Sequence, residues 1–241
     1  MPPPTAPPSG EDLPKPPLHR KRTARTVLVT CGIIAAAFVV FCGGGATLTY
    51  FLYIHGFEEP LTARDRDLLV TAERVESFAR AKAREVRFEG VGIRLIPVVI
   101  DPALGKARKV RHLDGSRELE YEYKSSGGAT SVLGITHIIG VDRSAEAARY
   151  GYEGLDFGTS FRLRLENKDI SQVERADLWS WGDTSRCIVL YKGDAPIGNI
   201  FMGCKGRRYF QLAISGVYFD NAQAIRELLQ PFLQKLESYE G

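Results

Sequence analysis

Residues 186–236 read RCIVLYKGDAPIGNIFMGCKGRRYFQLAISGVYFDNAQAIRELLQPFLQKL, and this stretch decides the fold class of the chain. Apolar residues concentrate in three short segments, at 187–191, 197–203 and 209–214. The links between them are short and contain Gly, Asp, Pro and Lys, as is typical of turns that join neighbouring antiparallel strands. The stretch therefore predicts a three-stranded antiparallel meander.

An amphipathic helix is predicted to follow the meander. Asn221 is a residue type that caps helix N-termini, because its side chain accepts hydrogen bonds from backbone N–H groups in the first turn. Pro231 has no backbone N–H to donate, so we expect a kink or a restart of the helix there. The apolar residues that share one face of this helix are Ile225, Leu228, Leu229, Phe232 and Leu236.

The order of these elements, a meander that runs through RRYFQLAISGVYFDN into a terminal amphipathic helix, resembles the last part of the Mog1/PsbP-like domains. The resemblance covers residues 186–236 only and is one of element order. It implies an antiparallel sheet with helices on both faces, and a binding or assembly role. The membrane anchor predicted below departs from the familiar members, so no functional residues are carried over.

The chain before the meander predicts a second amphipathic helix and several strands. Thr62 and Asp65 form a capping pattern, and apolar residues recur at helical spacing from about residue 62 to residue 87. After Gly90 the hydrophobic period changes towards two. We expect strands at 93–100, 109–113, 118–124, 132–141, 159–165 and 186–192, with a short helix at 144–150. Residues 58–241 are thus predicted to form one α+β domain, an antiparallel sheet flanked by an N-terminal and a C-terminal amphipathic helix.

One predicted strand alternates strictly between apolar and charged residues. Leu119, Tyr121 and Tyr123 are separated by acidic positions, which indicates one buried face and one solvated face of an antiparallel sheet. Glu118 and Glu120 are then two residues apart on the polar face. A solvated sheet edge explains this acidic pair better than acid–base chemistry does.

A long run without charged residues, at 26–57, precedes the domain. A segment of about 20 apolar residues crosses the hydrocarbon core of a bilayer, and few soluble helices are apolar all round for this length. The run therefore predicts a single transmembrane helix in contact with the lipid bilayer. The alternative is a cleaved signal peptide, for which the small residues Gly44 and Ala46 would supply the cleavage site.

The distribution of charge predicts the orientation of this span. The formal net charge of the chain is +3. All of this excess lies in residues 1–25, where five basic residues accompany two acidic ones, while the rest of the chain is balanced. Positive charge is retained on the cytoplasmic side, so we expect a cytoplasmic N-terminus and an extracytoplasmic domain at 58–241. The balance of charge in the domain argues against a nucleic-acid partner.

The N-terminal tail, residues 1–25, is rich in proline and then in basic residues. Such a segment cannot bury enough apolar surface to fold, so we expect a disordered cytoplasmic tail. Residues 4–7 and 14–17 each match the PxxP pattern of proline-rich ligands. A cytoplasmic spacer is the simpler interpretation of both matches.

Both tryptophans of the chain, Trp179 and Trp181, lie in one polar connection between strands. Their rings could stack on a sugar or a peptide, while Asp177 and Asp183 accept hydrogen bonds from it. The alternative is that one ring fills the core of the sheet and the other covers its edge. We take these four residues as the candidate ligand-binding site.

The four cysteines divide between the predicted span and the domain. Cys187 and Cys204 lie on two neighbouring predicted strands. A register that sets them opposite one another also pairs Val189 with Met202, and this arrangement predicts a disulfide in an oxidising compartment.

Other chemistry has little support in the sequence. The domain contains only His112 and His137, and the spacing of zinc ligands is absent, so we expect no metal and no cofactor. His112 lies among basic residues, and His137 lies in an apolar run that predicts a hydrogen-bonded core histidine. No nucleotide-binding or hydrolase motif is present.

The sequence thus predicts a membrane-anchored, extracytoplasmic binding or assembly module without evident catalytic activity. Its partner would be an envelope protein, a wall polymer or a second copy of the chain. Two alternatives remain open. One is an envelope enzyme whose site combines residues scattered along the sequence, and the other is a single-pass signalling protein that uses the proline-rich tail.

Overall fold

The computed structural model of the chain describes residues 56–85, 93–95, 100–125, 133–166 and 169–241. The predicted tail and nearly all of the predicted span lie outside these residues. Among the helices of the described part, none combines the length and the apolar character needed to cross a membrane.

Most of the described strands form one large antiparallel sheet. This sheet has 8 strands in the order β1-β3-β4-β5-β9-β8-β7-β6, and β2 pairs separately with β10. The strands are β1 (Phe57–Glu59), β2 (Ile93–Leu95), β3 (Lys106–Arg111), β4 (Arg117–Lys124), β5 (Gly134–Val141), β6 (Ile170–Glu174), β7 (Thr184–Lys192), β8 (Ala195–Lys205), β9 (Arg208–Ser215) and β10 (Val217–Phe219).

Four α-helices and one short 3-10 helix accompany the strands in the described residues. The helices are α1 (Ala63–Leu68), α2 (Ala72–Glu85), α3 (Ala145–Glu166) and α4 (Ala222–Glu237), and the 3-10 helix is Pro102–Leu104. The α+β class and the antiparallel sheet agree with the sequence prediction. The meander predicted from residues 186–236 corresponds to β7, β8 and β9, which are adjacent in the sheet.

The single helix predicted from residue 62 to 87 is two helices. Thr62 and Asp65 form the predicted capping box at the start of α1. The chain then becomes extended at Leu69, and the Val70 N–H donates a hydrogen bond of 3.0 Å to His137 Nδ1 in the sheet. Because Leu69 and Val70 are buried, core packing breaks the helix where the sequence pattern alone continues it.

The strand predicted at 159–165 is wrong, because these residues belong to α3. Their sequence, SFRLRL from residue 160, alternates between apolar and polar residues and so imitates the period of a strand. The helix begins beyond Ser144, whose hydroxyl accepts a hydrogen bond of 3.1 Å from the Ala147 N–H. The predicted short helix is therefore the first part of a helix of 22 residues.

The C-terminal helix α4 begins as predicted. Asn221 accepts hydrogen bonds from the N–H groups of Gln223 and Ala224. The predicted restart at Pro231 is absent, since α4 runs as one helix through that residue. Pro231 itself is exposed, while the apolar face on either side of it is buried in the core.

The two faces of the sheet carry different layers. On one face, which we call the core face, α1, α2 and α4 pack over a large continuous apolar cluster that includes Tyr123, Phe201 and Phe210. On the other, the α3 face, a smaller cluster joins Ala148 and Tyr152 of α3 to β7 and β8. Helix α3 contacts β5, β8 and β9.

Two glycines let α3 approach the sheet closely. The Tyr209 ring on β9 packs against Gly140 of β5 and Gly151 of α3, and neither position has room for a Cβ atom. A larger residue at either glycine would push the ring or the helix outward. This contact sets the position of α3 and so shapes the surface beside it.

Candidate functional site

The predicted site residues Trp179 and Trp181 face the interior of the domain. Trp179 is only 6% exposed, and its ring meets those of Phe201 and Phe210 edge-on at centroid distances of 5.9 Å. Trp181 is partly buried and packs on Phe210 at 5.6 Å, with its ring against Gly203. Both rings therefore fill space over the meander.

Asp177 and Asp183 serve different parts of the surface. Arg175 donates two hydrogen bonds to the Asp177 carboxylate, at 2.8 and 2.7 Å. Hydrogen bonding from Arg175 holds the pKa of Asp177 below its usual value. Asp177 and Trp179 both line a shallow pocket of about 190 Å³ beside the start of α4. Asp183 instead accepts a hydrogen bond of 2.8 Å from the Gly206 N–H at the end of β8. The four predicted residues do not converge on one site.

The predicted cysteine register is wrong. Cys187 lies opposite Phe201, and Cys204 lies opposite Thr184. Because the register differs by three positions, an odd number, the two thiols point to opposite faces of the sheet. Both are free and buried. The turn after β7 contains only Gly193 and Asp194, with Gly193 at a φ of 59°, and by itself shifts the pairing by four positions from the predicted register. A bulge between Leu190 and Tyr191 makes the shift three and so places the two thiols on opposite faces.

His137 is the core histidine that the sequence predicts. Its side chain is fully buried between Phe210 and Phe232, and its Nδ1 accepts the hydrogen bond from Val70. Burial lowers the pKa of His137 to about 3, with a smaller contribution from Arg74, so the ring is neutral near pH 7. Among the described residues no carboxylate pairs with it, and its Nε2 has no hydrogen-bond partner there.

A cleft that the sequence did not predict lies beside α3. It has a volume of about 580 Å³ and lies between the first turns of α3, the start of β7 and the end of β8. Volumes of this order accommodate small ligands. We call it the α3 cleft, and its lining residues are Ala145, Glu146, Arg149, Tyr152, Glu153, Asp183, Thr184 and Cys204.

A buried tyrosine forms part of the wall of the α3 cleft. Tyr152 is 5% exposed, and the Thr184 side chain lies close enough to its hydroxyl to lower the pKa slightly but forms no hydrogen bond of normal geometry with it. Burial raises the pKa of Tyr152, so the group is a neutral hydroxyl that can both donate and accept. An unpartnered buried hydroxyl costs free energy, of the order of 1–3 kcal/mol, and a bound polar group that reached it would recover part of this cost.

Cys204 supplies a thiol to the same wall. Burial raises the pKa of Cys204, with further contributions from Asp183 and Asp142. The group therefore stays protonated at neutral pH and lacks the activated thiolate of a catalytic cysteine. It contributes a soft, weakly polar surface to the cleft.

The rim of the α3 cleft is charged and mostly acidic. Glu146, Glu153 and Asp183 are exposed, and the one guanidinium of the lining, that of Arg149, donates a hydrogen bond of 3.1 Å to Glu153. A ligand with hydrogen-bond donors or positive charge suits this rim better than an anion does.

Beside the cleft, α3 presents large apolar side chains to solvent. Tyr150 is 66% exposed and Phe157 is 72% exposed, and they lie two helical turns apart on the outer surface. Between and beside them, Gly154 and Gly158 have open space where a Cβ atom would stand. Glycine weakens a helix by about 1 kcal/mol relative to alanine, and nothing within the described domain requires it at these two positions.

Strand β4 carries an interacting acidic pair on the α3 face. Burial raises the pKa of Glu118, and its contact with Glu120 adds to this shift. Burial also acts on Glu120, but hydrogen bonds from Arg108 and Glu118 hold the pKa of Glu120 below its usual value. Glu118 therefore keeps its proton to a higher pH than an isolated glutamate does, beside an ionised Glu120, an interaction that the prediction of a solvated edge did not include.

The chain matches no protein-family model, no curated protein and no solved structure. The resemblance to Mog1/PsbP-like domains stays a prediction from element order. Within the described residues, no group of three or more His, Cys, Asp or Glu side chains is arranged to hold a metal ion.

Proposed function

We propose that this protein is a membrane-anchored binding or assembly module that contacts its ligand or partner through the α3 side of its domain. The anchor is the uncharged run at 26–57, and the basic tail before it orients the domain away from the cytoplasm. The α3 cleft and the exposed aromatic surface beside it form the contact region.

The observation that carries the proposal is the wall of the α3 cleft. A cavity of about 580 Å³ borders a buried Tyr152 whose hydroxyl is influenced by the neighbouring Thr184 side chain but has no hydrogen-bond partner of normal geometry among the described residues. Buried polar groups in folded proteins nearly always have partners, so a weakly partnered hydroxyl beside a cavity favours a ligand that hydrogen-bonds to it.

The exposed rings of α3 support an adjacent protein contact. Large apolar side chains on the surface of a soluble domain mark interaction sites when they cluster, and Tyr150 and Phe157 share one helix surface. Aromatic residues are enriched at the centres of protein interfaces. A partner held over this surface would cover the mouth of the cleft.

An envelope enzyme is the second candidate, and one observation favours it. The α3 cleft gathers titratable side chains from positions 146 to 204, which is the convergence that such an enzyme needs. The protonated state of Cys204 argues against a thiolate nucleophile. Binding therefore explains the cleft with fewer assumptions than catalysis does.

The test is native mass spectrometry of the full chain released gently from its own membranes. The parent chain is compared with Ala145→Trp, which fills the α3 cleft, and with Ala103→Trp, the same substitution at an exposed position of the 3-10 helix. We expect the parent and Ala103→Trp to carry an additional bound mass that Ala145→Trp lacks. A parent chain without bound mass, or a mass that Ala145→Trp retains, would contradict the proposal.

A further inference from the structure

We propose that one end of the large sheet rests on the surface of a phospholipid bilayer, with Phe57 and Leu113 in the headgroup layer. We call it the anchor end, because the chain enters the domain there at Gly56. This inference rests on the proposed anchoring of the chain through residues 26–57. It goes further, since an anchor on its own leaves the domain free to adopt any orientation.

Strand pairing defines which residues share the anchor end. Phe57 of β1 pairs with Arg111 of β3, so the chain enters where β3 ends. The neighbouring strands β4, β5 and β9 also have one end at this edge of the sheet. Their antiparallel pairing shows it, because Arg117 lies opposite Val141, and Val141 lies opposite Arg208. The loops at this end are the turn at 112–116, the link at 142–144 and the turn at 206–207.

Chain length brings this end close to the membrane. Two residues, His55 and Gly56, lie between Phe57 and Ile54, the last residue of the apolar core of the predicted span. An extended chain covers about 3.5 Å per residue, so Phe57 lies within about 10 Å of the end of that core. The β3–β4 turn is two strand spacings from β1, about 10 Å to the side.

Two apolar side chains project from the anchor end into solvent. Phe57 is 46% exposed at the start of β1, and Leu113 is 44% exposed at the tip of the β3–β4 turn. The turn is well defined, because the Gly115 N–H donates to the His112 carbonyl and Asp114 accepts from the Ser116 N–H. A leucine held at the tip of such a turn gains no burial within the described domain, whereas a bilayer interface would provide it.

The charges of this end suit a zwitterionic headgroup layer. The exposed basic side chains at this end, which are Arg111, Arg143 and Arg207, lie among exposed acidic groups such as Asp114. Positive and negative charges are therefore interspersed. Phosphate and ammonium groups of phosphatidylcholine-type lipids offer matching partners at the same depth. Because neither sign dominates, we expect no requirement for anionic lipid.

The loops of the anchor end are held together as one platform. The Asp142 N–H donates to the Arg207 carbonyl at 2.9 Å, and Arg207 Nε donates to the Asp142 carbonyl at 2.6 Å. The Asp183 N–H donates to the Cys204 carbonyl at 2.8 Å. A platform that is already ordered loses little conformational entropy when it meets a surface. In this orientation the α3 cleft, which includes Asp183, opens near the headgroups.

The experiment uses the full chain reconstituted into phosphatidylcholine vesicles that contain brominated lipid, which quenches tryptophan at short range. Leu113→Trp places the probe at the anchor end. Asp194→Trp is the matched control at the exposed turn between β7 and β8. The 11 residues of β8 put that turn about 35 Å away at a rise of about 3.3 Å per residue. The native tryptophans give the same background in both variants.

We expect the added fluorescence of Leu113→Trp to be quenched and blue-shifted in brominated vesicles, and that of Asp194→Trp to be unaffected. Equal quenching of both variants, or of neither, in a chain that floats with the vesicles would overturn the docking while the anchor stands. A chain that fails to float with the vesicles would overturn the anchor and this orientation together.

A measurement on the unmodified chain guards against misfolding of the variants. Amide hydrogen exchange at 112–116 is compared between vesicles and detergent, with 193–194 as the internal reference. Slower exchange in vesicles at 112–116 alone agrees with the docking. An equal change at both turns, or no change at 112–116, contradicts it.

Discussion

The two faces of the sheet show how differently one domain can use the same strands. On the core face, α1, α2 and α4 seal a cluster of buried aromatic and aliphatic side chains around Phe210 and Phe232. On the α3 face, one helix covers part of the sheet and presents Tyr150 and Phe157 to solvent, beside a cleft and an acidic pair. The difference indicates that the core face holds the fold together and that the α3 face is available for binding.

The largest expected difference comes from one phenylalanine on each face. Phe210→Ala removes a fully buried ring that contacts the rings of His137, Trp179, Trp181 and Phe232. We expect the free energy of unfolding to fall by about 3–5 kcal/mol, because the ring leaves a cavity in a tightly packed core. Denaturant unfolding of the domain, followed by tryptophan fluorescence, measures this change.

The matched variant on the α3 face is Phe157→Ala. Because this ring is largely exposed, we expect a change in unfolding free energy within about 0.5 kcal/mol. Losses of similar size in both variants would show that α3 is part of the main core, and would remove the distinction between the two faces.

The two faces should also respond in opposite directions to pH. On the core face, the folded chain does not protonate His137 until about pH 3, while its unfolded value is near 6.5. The unfolded state binds more protons between these values, so stability falls as pH falls, by about 1.4 kcal/mol per pH unit. We expect His137→Gln, which keeps an acceptor for the Val70 N–H, to flatten this acid limb.

On the α3 face the sign is reversed. The folded carboxyl of Glu118 holds its proton above its ordinary pKa of 4.5, so the folded state binds more protons and stability falls as pH rises from there. Glu118 is partly buried whereas His137 is fully buried, so solvent screening makes the effect smaller than that of His137. We expect Glu118→Gln to remove this loss and the exposed control Glu122→Gln to keep it. Thermal melts from pH 4 to 9 measure the loss of stability at low pH and at high pH. Identical pH profiles for Glu118→Gln and Glu122→Gln would contradict the assignment of the high-pH loss to Glu118.

Local sequence signals predicted the core face well. The alternation of Leu119, Tyr121 and Tyr123 placed their side chains in the buried cluster, and Asn221 marked the start of α4. These signals succeed because one buried face imposes a regular period on each element, and a cap needs only the residues next to it.

The α3 face was harder to predict for identifiable reasons. Helix α3 has a weak apolar period, since it keeps Tyr150 and Phe157 exposed and includes Gly154 and Gly158. The α3 cleft depends on tertiary packing that brings residues 145–153 together with residues 183–204, and no local pattern records this. The predicted cysteine register was wrong because the pairing depends on a two-residue turn and on a bulge between Leu190 and Tyr191, and a shift of an odd number of residues reverses the face.

The central claim is that the α3 side, and not the side of α1, α2 and α4, meets the ligand or partner. Amide hydrogen exchange tests it most directly when the full chain is measured in its own membranes and again after purification. The account predicts that purification speeds exchange in α3 and at the start of β7, with no change in α2 or α4. Changes confined to α2 and α4, or none in α3, would contradict it.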